Sequence, residues 1–175
     1  MHLPVKTAMS SRAKLGTVCG VAAIGLTAAA LVIGIPALAT PGSGFAPSPQ
    51  SAGRFAEMDV KADKTGKWDL FLKTKDTSTV GVDILTVQTG GYSGWHTHAG
   101  ATLVTVTEGQ VAWTDGEDCS TKVYQAGEGF VEPANHVHYV KNPYGLTAKL
   151  VAVQIRPVGT PGRVDAPAPA NCNVS

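Results

Sequence analysis

GGYSGWHTHAGATLVTVTEG (residues 90–109) and GEGFVEPANHVHYVKN (residues 127–142) are the two stretches that decide how this chain folds. Together they hold four of its five histidines, in two pairs at i, i+2: His96 with His98, and His136 with His138. Successive side chains on a β-strand point to opposite faces, so residues two apart share a face. Each pair can therefore aim both imidazoles at one point. Neutral imidazole is the commonest protein ligand for metal ions near neutral pH. A single buried histidine is ordinarily a hydrogen-bonded core residue. Two pairs on strand-like segments are harder to explain that way.

The flanking sequence also reads as strands. Val80, Val82 and Ile84 alternate with other residues, and Leu103-Val104-Thr105-Val106-Thr107 is short and β-branched. Val111-Ala112-Trp113, Lys122-Val123-Tyr124, Gly129-Phe130-Val131, Val137-His138-Tyr139-Val140 and residues 149–155 continue the series. Gly90-Gly91, Glu108-Gly109, Asp115-Gly116, Ala126-Gly127 and Asn142-Pro143 separate them as turns. Many short strands between glycine turns predict an all-β sandwich or barrel. Residues 57–67 are polar and read as a loop or a short helical turn.

The two quoted stretches resemble the paired motifs of the cupin family. Gly90, His96, His98, Thr102 and Gly109 follow the spacing of the first motif, which carries glutamate where this chain has Thr102. Gly127, Pro133, Asn135, His138 and Asn142 follow the second, which carries glycine where this chain has Asn135. The resemblance implies a cupin-type double-stranded β-helix, a jelly-roll barrel that is often a homodimer, with a metal near the barrel mouth. It implies His96, His98 and His138 as metal ligands.

Thr102 is the departure that matters, because a neutral hydroxyl is a poor ligand for a divalent ion. What remains is a three-histidine site, suited to zinc or non-haem iron, with manganese or nickel as alternatives. Thr102 itself is retained as a candidate additional ligand. Asn135 is a mild change, since asparagine tolerates left-handed backbone better than most residues. His136 is either a fourth ligand or acid/base group, or a residue of the barrel rim, and the rim is the expected place. Glu108 and Glu132 lie beside turns and are expected to be solvated, with approach to the site from a neighbouring strand as the alternative for either. Trp95, Trp113 and Tyr139 are expected in the barrel wall rather than as a sugar-stacking platform. No nucleophile elbow, Walker loop or Rossmann glycine pattern is present.

Outside the barrel, the ends read differently. Lys6, Arg12 and Lys14 precede an uncharged stretch over residues 15–39 that ends Ala37-Leu38-Ala39. Residues 1–39 are expected to be a secretory signal peptide cleaved after Ala39, or a membrane-anchoring helix. Either places the remainder outside the cytoplasm, secreted or held at the membrane. Residues 40–53 are rich in Pro, Gly and Ser and read as a linker. The barrel is expected over residues 54–156, with a Pro/Ala-rich extended tail over residues 157–175. Beyond Ala39 the chain keeps 11 basic and 13 acidic residues, a balance that argues against nucleic-acid binding. In an exported chain the two remaining cysteines, Cys119 and Cys172, are expected to form a disulfide. Closing so long a loop contributes about 4 kcal/mol in the chain-entropy treatment.

The functional expectation is an exported barrel holding one divalent metal. The metal would act as Lewis acid or O2-binding centre for a small organic substrate. The alternative is a non-catalytic module that binds a metal or small ligand, because this fold supports both.

Overall fold

The computed structural model describes residues 39–173. The expected N-terminal signal or anchor lies, except for Ala39, outside them. The described residues form twelve strands: β1 (Ser43–Phe55), β2 (Asp59–Thr65), β3 (Trp68–Lys73), β4 (Ser78–Tyr92), β5 (His96–Thr97), β6 (Ala101–Glu108), β7 (Gln110–Asp115), β8 (Thr121–Gln125), β9 (Gly129–Glu132), β10 (His138–Lys141), β11 (Ala148–Pro157) and β12 (Val164–Asp165).

Ten of them make an all-β, nearly closed barrel. One wall runs β1-β4-β11-β6-β9 and the other β12-β5-β10-β7-β8, all antiparallel. The long β4 joins them, because its last residue Tyr92 pairs with Lys141 of the second wall. Alternation along β6 shows how the core forms. Thr102, Val104 and Val106 are buried, while Leu103, Thr105 and Thr107 are exposed. Val104 and Val106 pack with Val87, Val111, Phe130 and Leu150 into the main core. Full burial of such a side chain contributes about 1.5–3 kcal/mol.

Asn142, the last residue of the second motif, is structural. Its side-chain amide donates to the carbonyls of Val87 (3.0 Å) and Leu146 (2.7 Å), stapling β4 to the turn before β11. Asn135 takes φ 58°, the left-handed conformation for which asparagine is a tolerated substitute for glycine.

Two expectations fail in the N-terminal half. Most of the linker expected over residues 40–53 is instead part of β1, which pairs with β4 along its length. Their small side chains suit close pairing, and Pro47 and Pro49 are tolerated because β1 is an edge strand. Residues 57–67 are neither loop nor helical turn; most of them belong to the β2–β3 hairpin, a separate two-stranded sheet. The tail is tied down: β12 pairs with β5, and the expected Cys119–Cys172 disulfide is formed.

Candidate metal centre

His96 opens β5 and His138 opens β10, and the two face each other in the ladder. His98 follows β5 by one residue. The three imidazoles meet inside the barrel, with ring centroids 4.3–5.1 Å apart. All three are buried.

Each ring places its Nδ1 against a backbone carbonyl: His96 against Gly94 (3.0 Å), His98 against Gly162 (2.6 Å) and His138 against His136 (2.9 Å). A carbonyl only accepts, so each Nδ1 carries the hydrogen. In the neutral rings every Nε2 is then a bare lone pair, and these three point towards one place.

The fourth member is Glu132, at the end of β9. It is buried, with Oε2 3.0 Å from His98 Nε2 and Oε1 3.0 Å from His138 Nε2. Of the two readings of Glu132, solvation fails and the approach from a neighbouring strand holds. Its strand explains why: Glu132 shares the inward face with Phe130, two residues earlier. In the ladder it stands directly opposite Thr102. The carboxylate absent at position 102 is supplied from the neighbouring strand, and the ligand atoms of His96, His98, Glu132 and His138 all lie within 4.8 Å of one another. The signal that could have located Glu132 was its period-2 spacing from Phe130; the pairing with Thr102 was not visible.

The electrostatics follow from this packing. Burial, with the charges of His138 and Arg163, holds the His96 pKa far below its ordinary value. Burial acts the same way on His98, but the Glu132 carboxylate outweighs it and raises that pKa. For Glu132 itself burial disfavours charge, yet His138 and His98 overcome it and keep the carboxylate ionised. Bare acceptors thus face each other at 3.0 Å in a buried place. Only a proton or a cation relieves that arrangement. The donor set fits a divalent ion, and the Nε2 atoms of His98 and His138 have no hydrogen-bond partner of their own.

The other candidates fall elsewhere. Thr102 is buried beside Glu132, its hydroxyl unpartnered. His136 turns away: its Nε2 lies 2.9 Å from Asp115 Oδ2 and its ring stacks on Trp113. It touches the centre only through its backbone carbonyl, which holds His138. Trp95, Trp113 and Tyr139 are buried in the wall as expected. Glu108 is exposed and pairs with Lys149.

The disulfide-anchored tail completes the surroundings. Gly162 orients His98, Arg163 donates to the Ser93 carbonyl (2.6 Å), and Ala166 donates to that of Trp95 (2.9 Å). A cavity of about 340 Å3 adjoins the cluster. His96, His98, Thr102, Glu132 and Arg163 line it together with apolar residues such as Phe130.

A nearly closed all-β barrel with a buried His3Glu cluster defines the class. Residues 83–154 match the family model for the cupin domain. No curated protein matches the chain. Among solved structures, a conserved protein of unknown function from Streptococcus pyogenes is 22% identical, with TM-score 0.41, covering 45% of this chain and 65% of that one. The chain thus spans less than two thirds of that protein. A double-stranded β-helix protein from Klebsiella pneumoniae is 18% identical, with TM-score 0.43, covering 63% of this chain and 84% of that one. A cupin-like protein from Thermotoga maritima is 17% identical, with TM-score 0.45, covering 53% and 68%. These likenesses are too distant to carry a function across.

Proposed function

We propose that this is an exported barrel that binds one divalent metal through His96, His98, His138 and Glu132 and uses it on a small organic molecule. The observation that carries the metal reading is the locked tautomer set: three Nδ1–H groups committed to carbonyls, three Nε2 lone pairs and a carboxylate turned to one buried place. A divalent ion there supplies a Lewis-acid or redox centre. The protein's own part is to hold the imidazoles in one orientation, to neutralise one positive charge with Glu132, and to keep an adjoining cavity mostly apolar. That cavity favours use over storage, since a storage site needs no room beside the ligands. Export is supported by the basic-then-apolar N-terminus and by the disulfide.

Elemental analysis of protein made by export, with a tag free of histidine, tests the first part. Near-stoichiometric metal, lost in His98→Ala, is the expected result. No metal in either protein, even after reconstitution, would overturn it. Loading with Co2+ and adding azide separates use from capture. A change in the visible spectrum shows a coordination position open to the cavity; an unchanged spectrum assigns the protein to metal capture.

A further inference from the structure

Two inward rows of the wall β4-β11-β6-β9 border the cavity. The register sets Asp83, Ala152, Val104 and Phe130 side by side in one row. Gln154, Thr102 and Glu132 stand side by side in the next. Residues two apart on a strand share a face, so both rows point into the same space. The second row ends at the centre, in Glu132. The first borders the hydrophobic core, to which Ala152, Val104 and Phe130 belong. Asp83 is the one charged member of that row, and it lines the cavity with them.

Several polar groups around the cavity already have partners. The Ser93 hydroxyl donates to the Gly94 carbonyl and accepts from the Val140 N–H. Arg163 donates to Asp165 and to the Ser93 carbonyl. Three side chains are left over. The Thr102 hydroxyl is buried and unpartnered. Among the described residues, the carboxylate of Asp83 and the amide of Gln154 make no hydrogen bond or ion pair. A charge placed among hydrocarbon lowers stability unless it is paired. Among the described residues the only Lys or Arg lining the cavity is Arg163, and it is held at the tail by its own partners. The chain therefore brings no cation to Asp83.

We infer that the ligand brings it: Asp83 receives an ammonium group, and the small molecule this cavity takes is an aliphatic amine with an oxygen anion at its other end. The inference rests on the reading that the cavity beside the metal centre is the working site. Gln154 lies diagonally across the ladder from Asp83, about 7–8 Å away, and its side-chain oxygen serves as the second acceptor. Leu85, Val104 and Phe130 supply apolar contact for the ligand's carbon chain. Charge balance sets the far end. A divalent ion held with Glu132 keeps one positive charge, and Asp83 carries one negative charge. A ligand with an ammonium at Asp83 and an anionic oxygen towards the centre leaves the whole site neutral.

Isothermal titration of the exported protein tests this with two matched pairs of probes. 6-Aminohexanoate is compared with 6-hydroxyhexanoate, and hexylamine with hexan-1-ol. The members of each pair differ only in the group meant for Asp83. In each pair the amine should bind about 10–100-fold more tightly, as expected for one charge-assisted hydrogen bond. Asp83→Asn, which keeps the side chain's size, should remove the preference while the Cys119–Cys172 disulfide and a cooperative melt are retained. Gln154→Leu, which removes only the second acceptor, should reduce the preference by less. Equal binding of amine and alcohol to the wild-type protein, no binding of any probe, or a preference that survives Asp83→Asn would overturn the inference. Elemental analysis of the same samples keeps the two readings apart. Metal-loaded protein without an amine preference overturns this inference and leaves the metal reading standing. Hexylamine preferred by protein that holds no metal supports this inference while the metal reading fails.

Discussion

His96–His98 and His136–His138 have the same spacing, and the barrel uses them differently. In the first pair both Nε2 atoms turn into the cluster. In the second only His138 does, while His136 is held outside by Asp115 and by stacking on Trp113. Same-face geometry needs regular strand through both residues. β10 begins at His138, so His136 lies before the strand and the period-2 rule does not reach it. His98 lies just past β5, yet it converges because the tail carbonyl of Gly162 fixes its ring. Spacing proposes a ligand pair; the group that holds each Nδ1 disposes it.

The sharpest way to break the comparison is to truncate one member of each pair. His138→Ala should abolish metal binding by elemental analysis, whereas His136→Ala should leave the metal content unchanged. Equal losses would mean that His136 is a ligand. Next in size is the carboxylate. Glu132→Thr should release most of the metal, and adding Thr102→Glu to it should restore binding from the opposite strand. Thr102→Glu alone should destabilise the barrel, since two carboxylates would then meet in a buried place. If the double variant binds no better than Glu132→Thr alone, the cross-strand replacement is wrong.

A smaller effect is expected at the tail. Cys172→Ser should lower stability by about 2–5 kcal/mol in denaturant melts. It should also weaken metal binding about 10–100-fold, because the carbonyl orienting His98 is no longer anchored. Unchanged affinity would separate the disulfide from the centre.

The mildest perturbation is pH. Protons compete with metal at His98, whose pKa is raised, so affinity should begin to fall above pH 6.5 as pH is lowered. His96, held low by burial, adds no competition in that range. In metal-free protein the sign reverses for stability at His98. Its protonated pair with Glu132 stabilises fully below about pH 6.5 and is lost as pH rises through the raised pKa. His98→Ala should remove that slope from melts taken across the window; a slope that persists would place its source elsewhere.

Much of the barrel was legible because its strands alternate cleanly and its turns carry glycine. β6, β9 and β11 fall where the Val-rich runs lie, and three of the four centre residues fall on motif positions. β1 was not legible: its Ser, Gly and Pro content is that of a linker, and only pairing with β4 makes it a strand. The hairpin was obscured by charged residues on its reverse face, which hide the alternation of Val60, Ala62, Leu70 and Leu72. Solvation was the favoured reading of Glu132 because its neighbours, Pro133 and Ala134, read as a turn.

What the sequence by itself determined is local and periodic: the all-β class, the histidine spacing, the left-handed Asn135 and the even cysteine count. These depend on residues a few positions apart, where backbone geometry is nearly fixed. Only the tertiary structure decided that Glu132 stands opposite Thr102, that Gly162 and His136 carbonyls set the histidine tautomers, and that a tail bound through Cys172 reaches the centre. Those facts depend on register and on contacts between residues far apart in the chain. A one-residue slip in the β6–β9 pairing would turn Glu132 away from Thr102, and nothing in the local sequence of either strand prevents it. The packed barrel does, by burying Phe130 and Val104 on the same face.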